Sequence, residues 1–134
     1  MAFLSVTRLR IRALRFLPIF IYRSGQSIRQ AQASTGNLGV DVLRDANNVF
    51  WTRTAWTDEA AMRDYMMAGP HRAVMPSLMK WCDEASTVHW VSESNELPSW
   101  EEAYEHMMAE GRPSRLKVET PRHRSMQHPP PKLR

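Results

Sequence analysis

At 134 residues with a net charge of +4, the chain is long enough for one domain with a real core. Its charge is uneven: residues 1–40 hold six Arg and no acid, residues 41–111 five basic and thirteen acidic side chains, and residues 112–134 seven basic and one acidic. The basic excess thus belongs to the two ends, which gives little ground for a nucleic-acid surface. The single Cys82 excludes an internal disulfide and a Cys-based zinc site, and it fits a reducing compartment. The longest apolar run, Phe16 to Tyr22, contains Pro18 and is far too short to span a membrane. The Arg-bearing start has some transit-peptide character, but Arg8, Arg10 and Arg12 alternate as one face of a strand does, so a cytoplasmic chain is expected.

Residues 2 to 12 read as a first strand, with Phe3, Ser5, Thr7, Leu9 and Ile11 on one face and Leu4, Val6, Arg8, Arg10 and Arg12 on the other. Leu17 to Ala33 reads as a helix opened by Pro18. Its stripe holds the small residues Ser24 and Gly25, which would let it approach a sheet closely. Thr35-Gly36-Asn37 stops it. Leu38 to Arg44 and Val49 to Thr57 form a hairpin around Asp45-Ala46-Asn47-Asn48. Asp58 to Ala68 is a second helix, capped by Thr57 or Asp58. His71 to Cys82 is a shorter helical segment that Pro76 is expected to break into two turns. Ala85 to Ser92 is a fourth strand, and Ser99-Trp100-Glu101-Glu102 is a capping box opening a last helix to Glu110. Residues 112–134, with Pro129-Pro130-Pro131, have the composition of a flexible, basic, Pro-rich tail after a domain of residues 1–111.

This order, β-α-β-β-α-β plus an appended helix, predicts an α+β, ferredoxin-like fold with a four-stranded antiparallel sheet. Two helices would cover one sheet face. The other still carries aromatic and β-branched residues, which argues for a homodimer with two sheets face to face.

Three stretches carry a family likeness: Phe50-Trp51-Thr52-Arg53-Thr54-Ala55-Trp56, Glu59-Ala60-Ala61-Met62, and Gly69-Pro70-His71-Arg72-Ala73-Val74-Met75-Pro76. On these the chain resembles the dimeric α+β barrel superfamily and, within it, the antibiotic biosynthesis monooxygenase-like proteins. Trp81-Cys82-Asp83-Glu84-Ala85 followed by Val88-His89-Trp90 resembles a subgroup of small bacterial proteins of undefined function. The likeness covers roughly residues 3 to 111. It implies the fold and the homodimer, and a chemistry ranging from quinol-forming oxygenases to haem degraders. In the haem-degrading members the axial His falls at the position of Met75 and a haem-crowding Trp at that of Tyr65, so this chain departs from that pattern at both.

His71 is the best chemical candidate. Beside a helix N-terminus its neutral imidazole is favoured, which suits a base, although the same ring could simply cap the helix. Met75 one turn later, Tyr65, Trp81 and Met62 are candidate pocket walls. His89 faces away from Trp90, as a strand histidine or a second pocket residue. Arg8 and Arg53 on central strands would stabilise an anion in a cavity, or else form interface ion pairs with Asp41, Asp45 or Glu93.

Three functions follow. The first is a metal-free, cofactor-independent monooxygenase acting on an aromatic or polyketide-like phenol, with His71 as base, Arg53 or Arg8 stabilising the anion, and no cofactor. The second is a haem-binding or haem-modifying protein. The third is a non-catalytic dimer binding a small apolar or aromatic ligand. An RNA-recognition module of similar topology is disfavoured because Val49 to Trp56 lacks the glycine of that pattern, so no nucleic-acid or membrane partner is expected.

Overall fold

The computed structural model describes residues 1–132. Chain order is β1 (Ala2–Ile11), a 3-10 turn (Leu14–Phe16), α1 (Leu17–Ala33), β2 (Asn37–Arg44), β3 (Val49–Trp56), α2 (Glu59–Met66), α3 (Gly69–Trp81), β4 (Cys82–Ser92), α4 (Trp100–Glu110), β5 (Arg112–Pro113) and α5 (Pro121–Ser125). The sheet is antiparallel with order β2-β3-β1-β4-β5. The ferredoxin-like α+β core stands as expected, but the sheet has five strands rather than four. The fifth is two residues from beyond α4, pairing with Ser86 and Thr87.

Local chemistry sets the boundaries. Asn47 and Asn48 both take left-handed φ, 61° and 63°, and close the β2–β3 hairpin. Gly36 ends the α1 connection at φ 86°, where a Cβ would lie 2.6 Å from that of Ala61. Asp58 caps α2 by accepting from Ala61 N–H, and the capping box of Ser99 and Glu102 opens α4. Pro76 does not break its segment: α3 runs unbroken through it. Pro76 and Arg72 both lie on the solvent side, so the Arg72 carbonyl that Pro76 cannot serve faces water.

A bulge shapes the start of β4. Arg10 pairs with Glu84 but Ile11 pairs with Cys82, leaving Asp83 as the extra residue. The bulge turns Asp83 to meet Arg10 at 2.5 Å, one residue from the buried pair of Arg8 and Glu84 at 2.6 Å.

The sheet separates two layers. Its first face carries Ser5, Thr7, Leu9, Phe50, Thr52, Thr54, Thr87 and His89 toward α1, α2 and α3. Its second carries Leu4, Val6, Val49, Trp51, Ala55 and Val88 against Ala103 and Met107 of α4, Leu97 and Met126. A second subunit is the expected cover for this second face. The chain covers it itself, so the homodimer expected through it loses the exposed apolar surface that argued for it. Of residues 112–134, expected as a flexible tail, 133 and 134 lie outside the described residues, and 112–132 contribute side chains that pack against the domain. Leu116 joins the core near Ile11 and Trp81, and His123 and His128 are buried. Tyr104 Oη donates to the His128 carbonyl at 2.8 Å. No helix among the described residues is long and apolar enough to cross a membrane.

Candidate functional site

A cavity of about 380 Å³ lies between the first sheet face and the helices, within the size range of small-molecule sites. Its floor is polar in an ordered way. Thr7 on β1 pairs across to Thr52 on β3 and Thr87 on β4; Ser5 pairs to Thr54 and His89. Side chains opposite one another in a ladder share a face, so two parallel rows of hydroxyls, one ending in His89, cross three strands. Val42 and Val40 of β2 continue the rows as apolar ends. The roof is apolar: Phe20, Ile21 and Ile28 of α1, Met62 and Met66 of α2, Val74 and Leu78 of α3. Ser24 and Gly25 do not draw α1 onto the sheet. A Cβ at Gly25 would meet nothing within 4 Å, and both residues line the space instead. Ser27 Oγ, also on this wall, is buried without a hydrogen-bond partner.

One wall is an aromatic column. Trp56 stacks on Tyr65 at 5.1 Å between ring centroids, and Tyr65 lies against His71 at 4.7 Å. Trp56 Nε1 donates to Thr54 Oγ1 at 2.9 Å, tying the column to the floor. Tyr65 Oη donates to the Ser27 carbonyl at 3.2 Å, and burial pushes its phenol up to about 12, so it stays protonated.

His71 sits at the start of α3, where its ring Nδ1 lies 3.2 Å from the Met66 carbonyl oxygen. A carbonyl only accepts, so Nδ1 carries the proton and Nε2 keeps its lone pair. Burial lowers the imidazole pKa, against the opposing pull of the Met66 carbonyl. The result is a neutral ring of fixed tautomer on the cavity wall, able to accept a proton at Nε2.

Of the residues expected at the site, His71, Tyr65, Met62 and His89 are brought together, His89 on the solvent-exposed side of the lining. Four are not. Arg8 and Arg53 alternate onto the second face. Arg53 binds Asp41 at 2.5 Å and the Pro98 carbonyl, and its guanidinium lies 4.2 Å from the Trp100 ring. The anion-stabilising role given to these arginines therefore has no geometry in this cavity, whereas the alternative ion pair with Asp41 is formed within the chain. Met75 is 42% exposed, because α3 turns His71, Val74 and Leu78 inward and leaves Met75 on its flank. Trp81 is buried with Ile11, Phe20 and Phe50 and does not line the cavity. Cys82 is buried, and burial together with Asp83 pushes its thiol up to about 12, so it is inert. The floor hydroxyls were missed, although Ser5 with Thr7 and Thr52 with Thr54 each stand at strand period.

The cavity does not fit haem. The His71 tautomer would suit an axial ligand, but among the described residues no Lys or Arg lines the walls to meet two propionates.

Fold and site together define a ferredoxin-like α+β domain with a half-buried histidine over a hydroxylated sheet. The chain belongs to the DUF3291 family, a domain of unknown function, matched over residues 17–114. No curated protein matches it in sequence. Its fold is similar to that of SnoaB, a cofactor-independent oxygenase from Streptomyces nogalater, at 14% identity and a TM-score of 0.58, covering 69% of this chain and 94% of that one. An antibiotic biosynthesis monooxygenase aligns at 13% identity and 0.61, covering 69% and 99%. A conserved protein from Methanosarcina mazei Go1 aligns at 14% and 0.62, covering 69% and 94%. At these identities the likeness shows the fold alone.

Proposed function

We propose that the cavity binds a flat, hydroxylated aromatic molecule and that His71 Nε2 takes a proton from its phenol, so that the electron-rich anion reacts with O₂ directly. In the overall reaction one oxygen atom enters the substrate, and the other leaves as water with two hydrogens from the substrate. The protein's part is to exclude water, orient the ring, accept the proton and bind the developing anion. With Arg8 and Arg53 on the far face, anion binding falls to the hydroxyls of Ser5, Thr7, Thr52 and Thr87. The observation that carries the reading is the contact of His71 Nδ1 with the Met66 carbonyl, which leaves Nε2 free as a base. That a protein of the same fold is a cofactor-independent oxygenase supports it.

The test is O₂ uptake by the purified protein with 1,4-dihydroxynaphthalene, corrected for autoxidation. His71→Ala should lower the rate by about 100-fold or more while the fold is kept. Equal rates in the two proteins reject His71 as the base. A second reading, ligand binding without turnover, is favoured by the unpartnered Ser27 Oγ, which calls for a polar ligand atom whether or not chemistry follows. Saturable quenching of Trp56 fluorescence by the same quinol, with no O₂ consumed, would select it.

A further inference from the structure

A second cavity, of about 390 Å³, lies on the opposite sheet face beneath the C-terminal strap, and its chemistry is of another kind. Four cations line it: Arg8 and Arg10 from β1, Arg122 from α5, and Lys132. Two carboxylates face them, and both are already engaged. Glu84 accepts from Arg8 Nη1 and from Thr120 Oγ1, each at 2.6 Å. Asp45 accepts from the backbone N–H groups of Ala46 and Lys132 and from Trp51 Nε1. Asp83, outside the lining, is taken by Arg10.

The cations are less well served. Among the described residues no salt bridge includes Arg122 or Lys132. Arg8 is 2% exposed, yet its Nε is buried with no acceptor. Buried guanidinium N–H groups normally all find acceptors, because leaving one unpaired in a low dielectric is costly. Arg122 and Arg8 also repel one another. An excess of donors around a roomy cavity is the arrangement that a multiply charged oxyanion satisfies.

We propose that this strap cavity is an anion-binding site for a phosphate group, either the free ion or the head of a small phosphate monoester, held by Arg8, Arg10, Arg122 and Lys132. It stands back to back with the aromatic cavity: Thr7 lines the floor of one and the next residue, Arg8, lines the other. Neither His71 nor oxygen chemistry takes part in this second site.

The test uses the full chain at pH 7.5. Inorganic phosphate and phenyl phosphate are titrated by calorimetry at constant ionic strength against chloride. Saturable binding is expected, tighter for phenyl phosphate if the occupant is an ester and equal for the two if it is the free ion. The double variant Arg122→Ala, Lys132→Ala changes two exposed side chains. It should fold with an unchanged melting temperature in chloride and bind about tenfold more weakly or worse. Absence of saturable heat with either probe, or undiminished affinity in the double variant, would overturn the proposal.

Discussion

Gln30 holds His71 in place. From the last turn of α1 its side-chain oxygen accepts the His71 backbone N–H at 2.8 Å, while its Nε2 donates to the carbonyls of Tyr65 at 3.0 Å and Ala68 at 2.8 Å. One amide therefore ties the last turn of α2 and the Ala68 cap residue to an orphan N–H at the start of α3. The junction would otherwise have to bend at Gly69, at φ 55°, with nothing to fix the direction in which α3 leaves. Gln30→Ala should cost about 1–3 kcal/mol in urea unfolding. Gln30→Glu should cost more, since a carboxylate cannot donate and would face two carbonyl oxygens. Equal stability of Gln30→Ala and the parent would show that the clamp is idle.

The tautomer assigned to His71 has a consequence that does not require activity. Its burial lowers the imidazole pKa, so the neutral form persists below the ordinary histidine range. A proton titration followed by NMR should place His71 below 6.5, with the Nδ1-protonated form dominant above it. Any rate that depends on this base should be flat at neutral pH and fall only on the acid side. A His71 titration above 6.5 contradicts the buried, carbonyl-bound ring.

Much of this site is legible in the sequence where the signals are local. The capped strand–helix–helix run from Val49 to His71 is read from neighbouring residues, and so are Tyr65, Met62 and the His71 position. What is not legible is which sheet face the helices choose. Alternation places Thr7 and Arg8 on opposite faces of β1, but both faces of this sheet are apolar enough to be buried. Alternation alone therefore leaves open whether Arg8 and Arg53 enter a cavity or form ion pairs, and the structure shows them in ion pairs. Gln30 is invisible for a different reason: its partners are 35 or more positions away, and a glutamine in the last turn of a helix carries no local mark. The strap deceives through composition, because prolines lose little entropy on ordering and two histidines supply the buried anchors that apolar residues usually provide.

Two threonines of the floor separate folding from binding. Thr54 Oγ1 accepts from the fully buried Trp56 Nε1, so Thr54→Val should cost about 1–3 kcal/mol by orphaning that donor. Thr7 lines the cavity in the middle of its row, and Thr7→Val should leave stability within about 1 kcal/mol. The affinity for a dihydroxynaphthalene should fall by several-fold in Thr7→Val. Undiminished affinity would remove the hydroxyl rows from ligand recognition.

Deletion after Gly111 tests the strap as a structural part. It removes β5 and the buried His123, which accepts the Ala85 N–H at Nδ1 and donates to the Ser114 carbonyl at Nε2. It also uncovers Arg8 and Glu84, a pair whose attraction weakens once water enters. The melting temperature should fall by about 5 °C or more, in line with a loss of at least about 1 kcal/mol in a domain of this size. A truncated chain as stable as the parent would return the segment to the free tail that its composition suggests.

Acid should loosen the strap at His128. Its imidazole is buried beside Glu84, and desolvation, helped by the positive charges of Arg8 and Arg122 and opposed by Glu84, lowers its pKa to about 4. In the unfolded chain it titrates near 6.5. Above 6.5 the ring is neutral in both states and contributes no pH dependence. Between 6.5 and about 4 the unfolded chain binds a proton that the folded chain refuses, so stability falls as pH falls, by as much as about 3 kcal/mol across the window. Glu84 continues the trend at lower pH. Desolvation raises its pKa, but the hydrogen bonds from Thr120 and Arg8 outweigh that and hold it below the ordinary value, so its contribution is lost as it protonates. Urea midpoints measured from pH 7.5 to pH 4.5 should decline, and His128→Gln, which cannot take up the proton, should flatten the decline. A variant whose pH profile parallels the parent would place the acid sensitivity elsewhere.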